Sequence, residues 1–223
     1  MIRVHHLNNS RSQRVLWLLE ELGLDYEIVH YQRDAKTMLA PESLRKLHPL
    51  GKSPLLEVDG NVLAESGAIV QYLVDRYDTE RRFSPPPDSD HRPRFDYWLH
   101  YAEGSAMPPL LLALVFNRVR SGPMPFFARP IARAIADKVG VAFIDPQLKL
   151  HFDYMEAELA HSGWFASEDF SAADIMMSFP VEAGEVRVGY QERPALKRFL
   201  KAIHARPAYR QAMERGGPYE LMG

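Results

Sequence analysis

The sequence predicts an α/β domain followed by an all-helical domain, and three observations carry that prediction. A strand–helix–strand pattern occupies residues 2–31, and an Asp-Gly step separates two short apolar runs between residues 55 and 63. Beyond a proline-rich run, apolar residues recur only at helical spacing. The domains are therefore 1–78 and 94–223, with 79–93 as the linker.

Each element has its own signal. Residues 2–7 (IRVHHL) read as a first strand, and Asn8-Asn9-Ser10 as a turn into a helix whose apolar residues fall at Val15, Leu16, Leu18, Leu19 and Leu22. Gly23 stands where a helix ends in the left-handed conformation. Tyr26 to Tyr31 alternates and reads as a second strand, which makes a βαβ unit with a right-handed crossover expected. Residues 32–50 are polar and irregular, with at most a short helix over 42–47.

The run from Gly51 to Tyr72 holds a Ser53-Pro54 step, Leu55, Leu56 and Val58, the turn Asp59-Gly60, and Val62-Leu63. Asp-Gly between apolar runs is a hairpin signal. Glu65-Ser66 then opens a helix with Ile69, Tyr72, Leu73 and Tyr77 on one side. Pro85-Pro86-Pro87 excludes regular helix or central strand from the linker.

In the second domain, Phe95, Trp98, Leu99 and Ala102 lead into the apolar segment Leu110 to Phe116. Ile131, Ile135 and Val139 sit four apart and mark a helix over 125–144. Asp145-Pro146 reads as an N-cap with proline at N1, starting or kinking a helix striped by Leu148, Phe152, Met155 and Leu159. Ser171 and Asp174 have capping-box spacing, with Phe170 and Ile175 placed for a hydrophobic staple, so this segment reads as a folding element. Further helices follow Arg193-Pro194 and Arg206-Pro207, and the tail from Gly216 reads as loop.

Composition narrows the chemistry. At 223 residues and 46% hydrophobic, with net charge −2, the chain has material for a sizeable core and no phosphate-binding excess of basic residues. No nucleic-acid partner is expected. The longest apolar stretch, residues 108–116, is far short of the roughly 20 residues of a membrane span, and the first residues lack an apolar signal core. A cytoplasmic protein with no membrane partner is expected. Without a secretory signal, the glycosylation pattern at Asn8-Asn9-Ser10 has no relevance.

The absence of cysteine excludes disulfides, thiolate metal sites and a cysteine nucleophile. Any thiol chemistry must use a thiol carried by the substrate. Among nine histidines the adjacent pair His5-His6 points to opposite faces of a strand, so no metal site is expected. The backbone N–H groups and dipole at the Glu65-Ser66 helix start suit a carboxylate, and Glu65 suits an amine. A ligand with an amino-acid-like end fits both.

Three segments carry a family resemblance: NNSRSQRVLWLLEELGLDYE at 8–27, GKSPLLEVDGNVLAESGAIVQYL at 51–73 and FSAADIMMS at 170–178. Together they resemble the cytosolic glutathione S-transferase superfamily, of a bacterial or fungal-like, serine-type or atypical class. The resemblance spans nearly the whole chain. It implies a thioredoxin-like N-terminal domain, an all-helical C-terminal domain, a homodimer, glutathione as co-substrate, a small hydrophobic electrophile and a role in detoxification. It also implies a cis Ser53-Pro54 bond and pairing of the Ser53 main chain with the cysteinyl part of glutathione. Glu65 and Ser66 match the γ-glutamyl acceptors. Lys52 and His48 face the glycine carboxylate on this reading, although Lys52 reads equally well as a solvated loop charge.

A cysteine-type thiol starts near pKa 8.5, and lowering it by two units takes about 2.7 kcal/mol. A hydrogen bond to a charged group contributes about 1.5–3 kcal/mol and a helix N-terminus about 0.3–1 kcal/mol. One hydroxyl and one helix end suffice. Ser10, between first strand and first helix, matches the thiolate-stabilising serine of the family. Ser12, Asn8 and Asn9 are the alternatives, and a purely structural reading makes Ser10 an N-cap paired with Gln13. Arg11 adds positive potential or is solvated. The electrophile pocket is expected from Leu7 in the turn and from Tyr101, Met107 and Phe116, each of which also reads as core. Peroxide or disulfide reduction at the same site, or a non-catalytic glutathione-binding protein, are the other functions the framework admits.

Overall fold

The computed structural model describes residues 1–34, 37, 39–217 and 219. Its N-terminal part is a four-stranded sheet of β1 (Ile2–Leu7), β2 (Glu27–Tyr31), β3 (Leu55–Val58) and β4 (Asn61–Ala64), in the order β2-β1-β3-β4. β1 runs parallel to β2, across the crossover helix α1 (Ser12–Leu22), and antiparallel to β3. Helices α2 (Glu42–Leu47) and α3 (Ser66–Tyr77) complete this part. Arg3, the second residue of β1, reaches Glu27 on one neighbour and Glu57 on the other, each at 3.0 Å, bridging three strands.

The hairpin follows from its two turn residues. Asp59 and Gly60 have φ of 50° and 82°, the pair of left-handed conformations that a two-residue type I′ connection needs. This sets Leu55 opposite Ala64 and Val58 opposite Asn61. Gly23 likewise ends α1 at φ 65°, donating its N–H to the carbonyls of Glu20 and Leu19.

The remaining helices are α4 (Arg92–Tyr101), α5 (Met107–Ser121), α6 (Arg129–Val139), α7 (Asp145–Ser162), α8 (Ala172–Val188), α9 (Pro194–Ala205) and α10 (Pro207–Gly216). Helix begins at Arg92, two residues ahead of the expected boundary, because Pro93 fits the first turn, where no intrahelical N–H bond is required. The linker is held by Asp78, whose carboxylate accepts from the N–H groups of Arg82 and Phe83 at 2.8 Å and from the Ser84 hydroxyl at 3.1 Å. Gly216 is the last residue of α10 rather than the first of a loop. Within the tail, Tyr219 donates to Glu182 at 3.1 Å.

Two helical joints differ from the sequence reading. α4 runs into α5 through a π-helical turn at Ala102–Ala106, and α6 into α7 through another at Gly140–Ile144. Asp145 has helical dihedrals, φ −64° and ψ −40°, so it is not an N-cap; of starting or kinking, the helix continues. In both joints the prolines, Pro108-Pro109 and Pro146, follow the wide turn, where a residue without an N–H removes no regular α-helical bond.

Burial also differs from simple amphipathic patterns. Every residue of α1 from Ser12 to Leu19 is buried, because α3 and the sheet cover one side while α8 and α10 cover the other. Trp17 meets Tyr209 of α10 edge-on at 5.0 Å and Phe170 at 5.6 Å. Conversely, Ile131 and Ile135 face outward. Ala136 is the one buried residue among the described residues of α6, while Val139 packs partly against the core. The spacing identified a helix here, but it begins at Arg129 rather than at Pro125, after a turn at 126–128, and the spacing did not tell on which side the body lies.

α8 is the spine of the helical domain, buried without interruption from Ala172 to Glu182. Its start carries the capping box: the fully buried Asp174 carboxylate accepts from the Ser171 and Phe165 N–H groups, each at 2.8 Å, and from the Ser171 hydroxyl at 3.1 Å. Ala172 donates to the carbonyl of Phe83, joining α8 to the linker. Phe170 packs against Trp17, Phe83 and Trp164. Because Asp174→Ala would leave these donors buried without an acceptor, it should lower the unfolding free energy by about 2–4 kcal/mol. Urea unfolding would check this; a midpoint within error of the wild type would refute the anchoring role.

Candidate active site

A cleft of about 170 Å³ opens where the loop before β3, the start of α3 and the N-terminus of α1 meet the first π-helical turn. His48, Lys52, Ser53, Pro54, Glu65 and Ser66 line it together with Arg11, Leu50, Leu55, Ala64 and Glu103. The Ser53–Pro54 bond is cis. Gly51 has φ 56°, and a Cβ there would stand 2.6 Å from Cγ of Arg45, so a side chain would be strained here and would have to displace Arg45. Glu65 has φ 71° with ψ 123°, a rare backbone state for a residue with a side chain, and Ser66 follows as the first residue of α3. Residues held in such conformations cluster at binding sites.

Charge of both signs surrounds the cleft. Arg14, buried to 1% exposure, donates to the Met176 carbonyl at 2.7 Å, to Ser66 Oγ at 3.2 Å and to Glu103. Glu103 also accepts from Arg11 Nε at 3.0 Å, and both guanidiniums lie over the Phe179 ring. Burial alone would raise the Glu103 carboxyl, but the adjacent Arg14 and Arg11 outweigh it and hold the group below the usual carboxylate range. The serine at the start of α3 is thus oriented by a charge on α1, itself neutralised by the second domain.

Ser10 lies beneath the cleft rather than on its lining. Its buried hydroxyl is 2.7 Å from Ser12 Oγ and 3.4 Å from Ser53 Oγ, and it accepts the Ser12 N–H at 3.3 Å. Ser12 Oγ in turn lies 2.8 Å from His6 Nδ1. Ser53 Oγ donates to the His5 carbonyl at 3.0 Å and accepts the Leu7 N–H at 3.3 Å. A hydroxyl chain therefore runs from His6 through Ser12 and Ser10 to the residue before the cis-proline. The capping box with Gln13 does not form: the buried Gln13 amide has no hydrogen-bond partner among the described residues.

Asn8 is engaged in structure, its Oδ1 accepting the Arg33 N–H at 2.8 Å, and Asn9 takes φ 48° in the turn. Leu7, Tyr101 and Met107 are buried, and none lines the cleft. The Tyr101 hydroxyl bonds His151, and its ring belongs to a cluster with Tyr97, Trp98 and Tyr154. Phe116 lines a different cavity, of about 260 Å³, with Arg120, Asp137, Ile144 and Arg187. Tertiary structure therefore gathers the six expected binding residues around one cleft, but not these four around it. The expectation missed Arg14 and Glu103. The available signals were a second arginine three residues after Arg11, on the same side of α1, and a lone acid in the small-residue segment AEGSA. No group of three or more His, Cys, Asp or Glu among the described residues is arranged to hold a metal.

Comparison with known proteins covers both parts of the chain. The family model for the glutathione S-transferase N-terminal domain matches residues 1–75, and that for the C-terminal domain matches residues 141–207. Glutathione S-transferase 1 of Saccharomyces cerevisiae is 39% identical over 96% of this chain and 95% of its own length. A glutathione S-transferase crystal structure from Actinobacillus pleuropneumoniae superposes with TM-score 0.83 at 39% identity, covering 99% of this chain and 95% of that one. A glutathione transferase homologue from Lodderomyces elongisporus, solved with two GSH per subunit, shares the fold at TM-score 0.75 and 21% identity, covering 96% and 98%.

The histidine at the end of the hydroxyl chain carries a pH dependence. Burial, and then the neighbouring His30, push His6 from 6.5 down to about 4. The folded chain thus keeps His6 neutral where the unfolded chain takes up a proton. Its contribution to stability is complete above pH 6.5 and is lost as pH falls toward 4, by about 3 kcal/mol for a shift of this size. Urea unfolding at pH 7.5 and 4.5 should show a larger acid loss in the wild type than in His6→Gln; equal losses would contradict the assignment. A second expectation concerns charge: Glu103→Gln leaves Arg14 buried without its counter-charge and should lower stability by about 2 kcal/mol in the same assay.

Proposed function

The chain belongs to the glutathione S-transferase family and is a glutathione transferase; from that premise we propose that it holds glutathione in the cleft between Lys52 and Glu65 and activates the thiol as a thiolate. The observation that carries this reading is the joint presence of the cis Ser53–Pro54 step, the α3 N-terminus at Ser66 and charges of both signs around one cleft. Glutathione carries one amine and two carboxylates. The γ-glutamyl carboxylate takes Ser66 and the helix start, the amine takes Glu65 or Glu103, and the glycine carboxylate takes Lys52 and His48. The Ser53 main chain aligns the cysteinyl segment as a short antiparallel strand.

On this reading the sulfur comes to the N-terminal end of α1. Ser10 lies within 3.4 Å of Ser53 Oγ, which supports its hydroxyl as the donor to sulfur. To donate, it turns from Ser12 toward the ligand, while Ser12 keeps its bond to the neutral His6. Arg11, on the cleft lining, adds positive potential. The thiolate then attacks an electrophilic carbon of a small hydrophobic substrate; the carbon–sulfur bond forms as a leaving group departs as an anion with the electron pair of its bond to that carbon. The electrophile enters from the helical-domain side, with Leu7, Tyr101, Met107 and Phe116 as the expected apolar surroundings.

Detoxification in the cytoplasm as a homodimer completes the reading. Leu50 beside the cleft and Tyr97 on α4 are exposed apolar side chains suited to a second copy. The test is conjugation of glutathione to an activated aryl chloride by wild type and Ser10→Ala. Loss of one hydrogen bond to a charged sulfur, about 1.5–3 kcal/mol, should lower kcat/KM about tenfold to a hundredfold and raise the pH at which the ultraviolet thiolate band appears. Equal rates and an unchanged band would remove Ser10 from the mechanism.

A further inference from the structure

Three serine hydroxyls meet beneath the cleft, and the partners of two of them fix where their hydrogens point. Ser53 Oγ donates to the His5 carbonyl at 3.0 Å and accepts the Leu7 N–H at 3.3 Å, so toward Ser10, 3.4 Å away, it offers only a lone pair. Ser12 Oγ lies 2.8 Å from Nδ1 of His6. Which of these two donates is decided on the other side of the imidazole, where the main-chain carbonyl of Gly216, at the end of α10, is the hydrogen-bond partner. A carbonyl can only accept. The one proton of the neutral ring therefore sits on Nε2, Nδ1 is bare, and the Ser12 hydroxyl donates to it.

The surroundings hold the ring in this role. His6 is buried, and His30 of β2 meets it edge-on at 5.7 Å. Gly216 comes close because it lacks a side chain: a Cβ there would stand 2.7 Å from Oε1 of Gln13 and 3.4 Å from Cε1 of His6. With the Ser12 and Ser53 hydrogens committed elsewhere, only the Ser10 hydrogen can change partner. Ser10 Oγ accepts the Ser12 N–H at 3.3 Å and donates to Ser12 Oγ at 2.7 Å, an ordinary length for such a bond, whereas Ser53 Oγ at 3.4 Å lies outside that range. Donating onward to His6 makes the Ser12 oxygen a better acceptor.

We infer that Ser12, made an acceptor by His6, competes with the glutathione sulfur for the hydrogen of Ser10 and so sets the acidity of the bound thiol. The inference rests on Ser10 as the donor to sulfur and adds what limits that donor: forming the thiolate breaks the Ser10–Ser12 bond. The thiol proton leaves to solvent, while the Ser10 hydrogen turns from one acceptor to another without being transferred. Ser12 and His6 are positioning residues, since neither lines the cleft.

Ser12→Ala removes the competing acceptor and keeps Ser10 together with the main-chain N–H it accepts. The charged and titratable groups of the cleft, Arg11, His48, Lys52, Glu65 and Glu103, stay as they are. One hydrogen bond between neutral groups corresponds to about half to one pH unit, so the ultraviolet thiolate band of glutathione bound to Ser12→Ala should appear lower in pH by that amount. Aryl chloride conjugation at pH 6 should rise about twofold to tenfold. The double variant Ser10→Ala/Ser12→Ala should behave as Ser10→Ala does, because no hydrogen is left to release. If Ser10→Ala raises the band but Ser12→Ala leaves it unmoved or raises it too, this inference alone is overturned; a band that Ser10→Ala does not move overturns the reading of Ser10 and the inference with it. A second measurement uses the wild type: nitrogen-15 spectra of the labelled histidines at pH 7.5, with His6→Gln identifying the signal, should show His6 bare at Nδ1 and protonated at Nε2. The opposite tautomer would also overturn it.

Discussion

The buried guanidinium of Arg14 is the constraint around which the two halves of the molecule are arranged. A full charge at 1% exposure is tolerable only with compensation, and three elements supply it: the α8 carbonyl of Met176, the π-turn carboxylate of Glu103 and the α3 hydroxyl of Ser66. Each partner must hold its place for the others to work. One side chain therefore links α1, the start of α3, the first π-turn and α8. Arg206 and Arg215 add bonds from the other end of the chain to Glu21 and Glu20 of α1.

A consequence is that the cleft is not a property of the N-terminal domain alone. Its floor comes from the cis-proline loop and the α3 start, but Glu103 on its wall belongs to the second domain, in a turn widened by one residue. Regular α-helix through 102–106 would rotate Glu103 relative to the preceding turns of α4. The π-helical turn and the prolines that follow it are thus part of how the site is assembled. Ser66 then sits where the helix dipole, a hydroxyl and an indirect guanidinium converge, a suitable environment for a carboxylate.

The same logic separates what is buried from what is displayed. Apolar stripes on α7, α8 and α9 are covered by one another, whereas Ile131 and Ile135 of α6 stay exposed among the described residues. Periodicity alone treats these helices alike. Only their placement distinguishes a stripe buried in the core from one left exposed.

The sequence by itself determined the α/β part before an all-helical part, the Asp59-Gly60 hairpin, the capping box at Ser171 and Asp174, and six candidate residues that line one cleft. These are local properties: turn conformations, cap spacing and strand or helix period act over a few neighbouring residues and leave legible patterns. Tertiary structure decided the rest. Arg14 reads as an ordinary helix arginine until α8 and α3 close over it, and Glu103 reaches it from 89 positions away in the chain. Ser10 reads as a helix N-cap or a hydroxyl donor at the turn, and only the fold shows Ser12 and Ser53 beside its buried hydroxyl. Tyr101 and Phe116 have the residue types of a pocket, but the direction of a side chain depends on how long helices cross, which no short window of sequence contains.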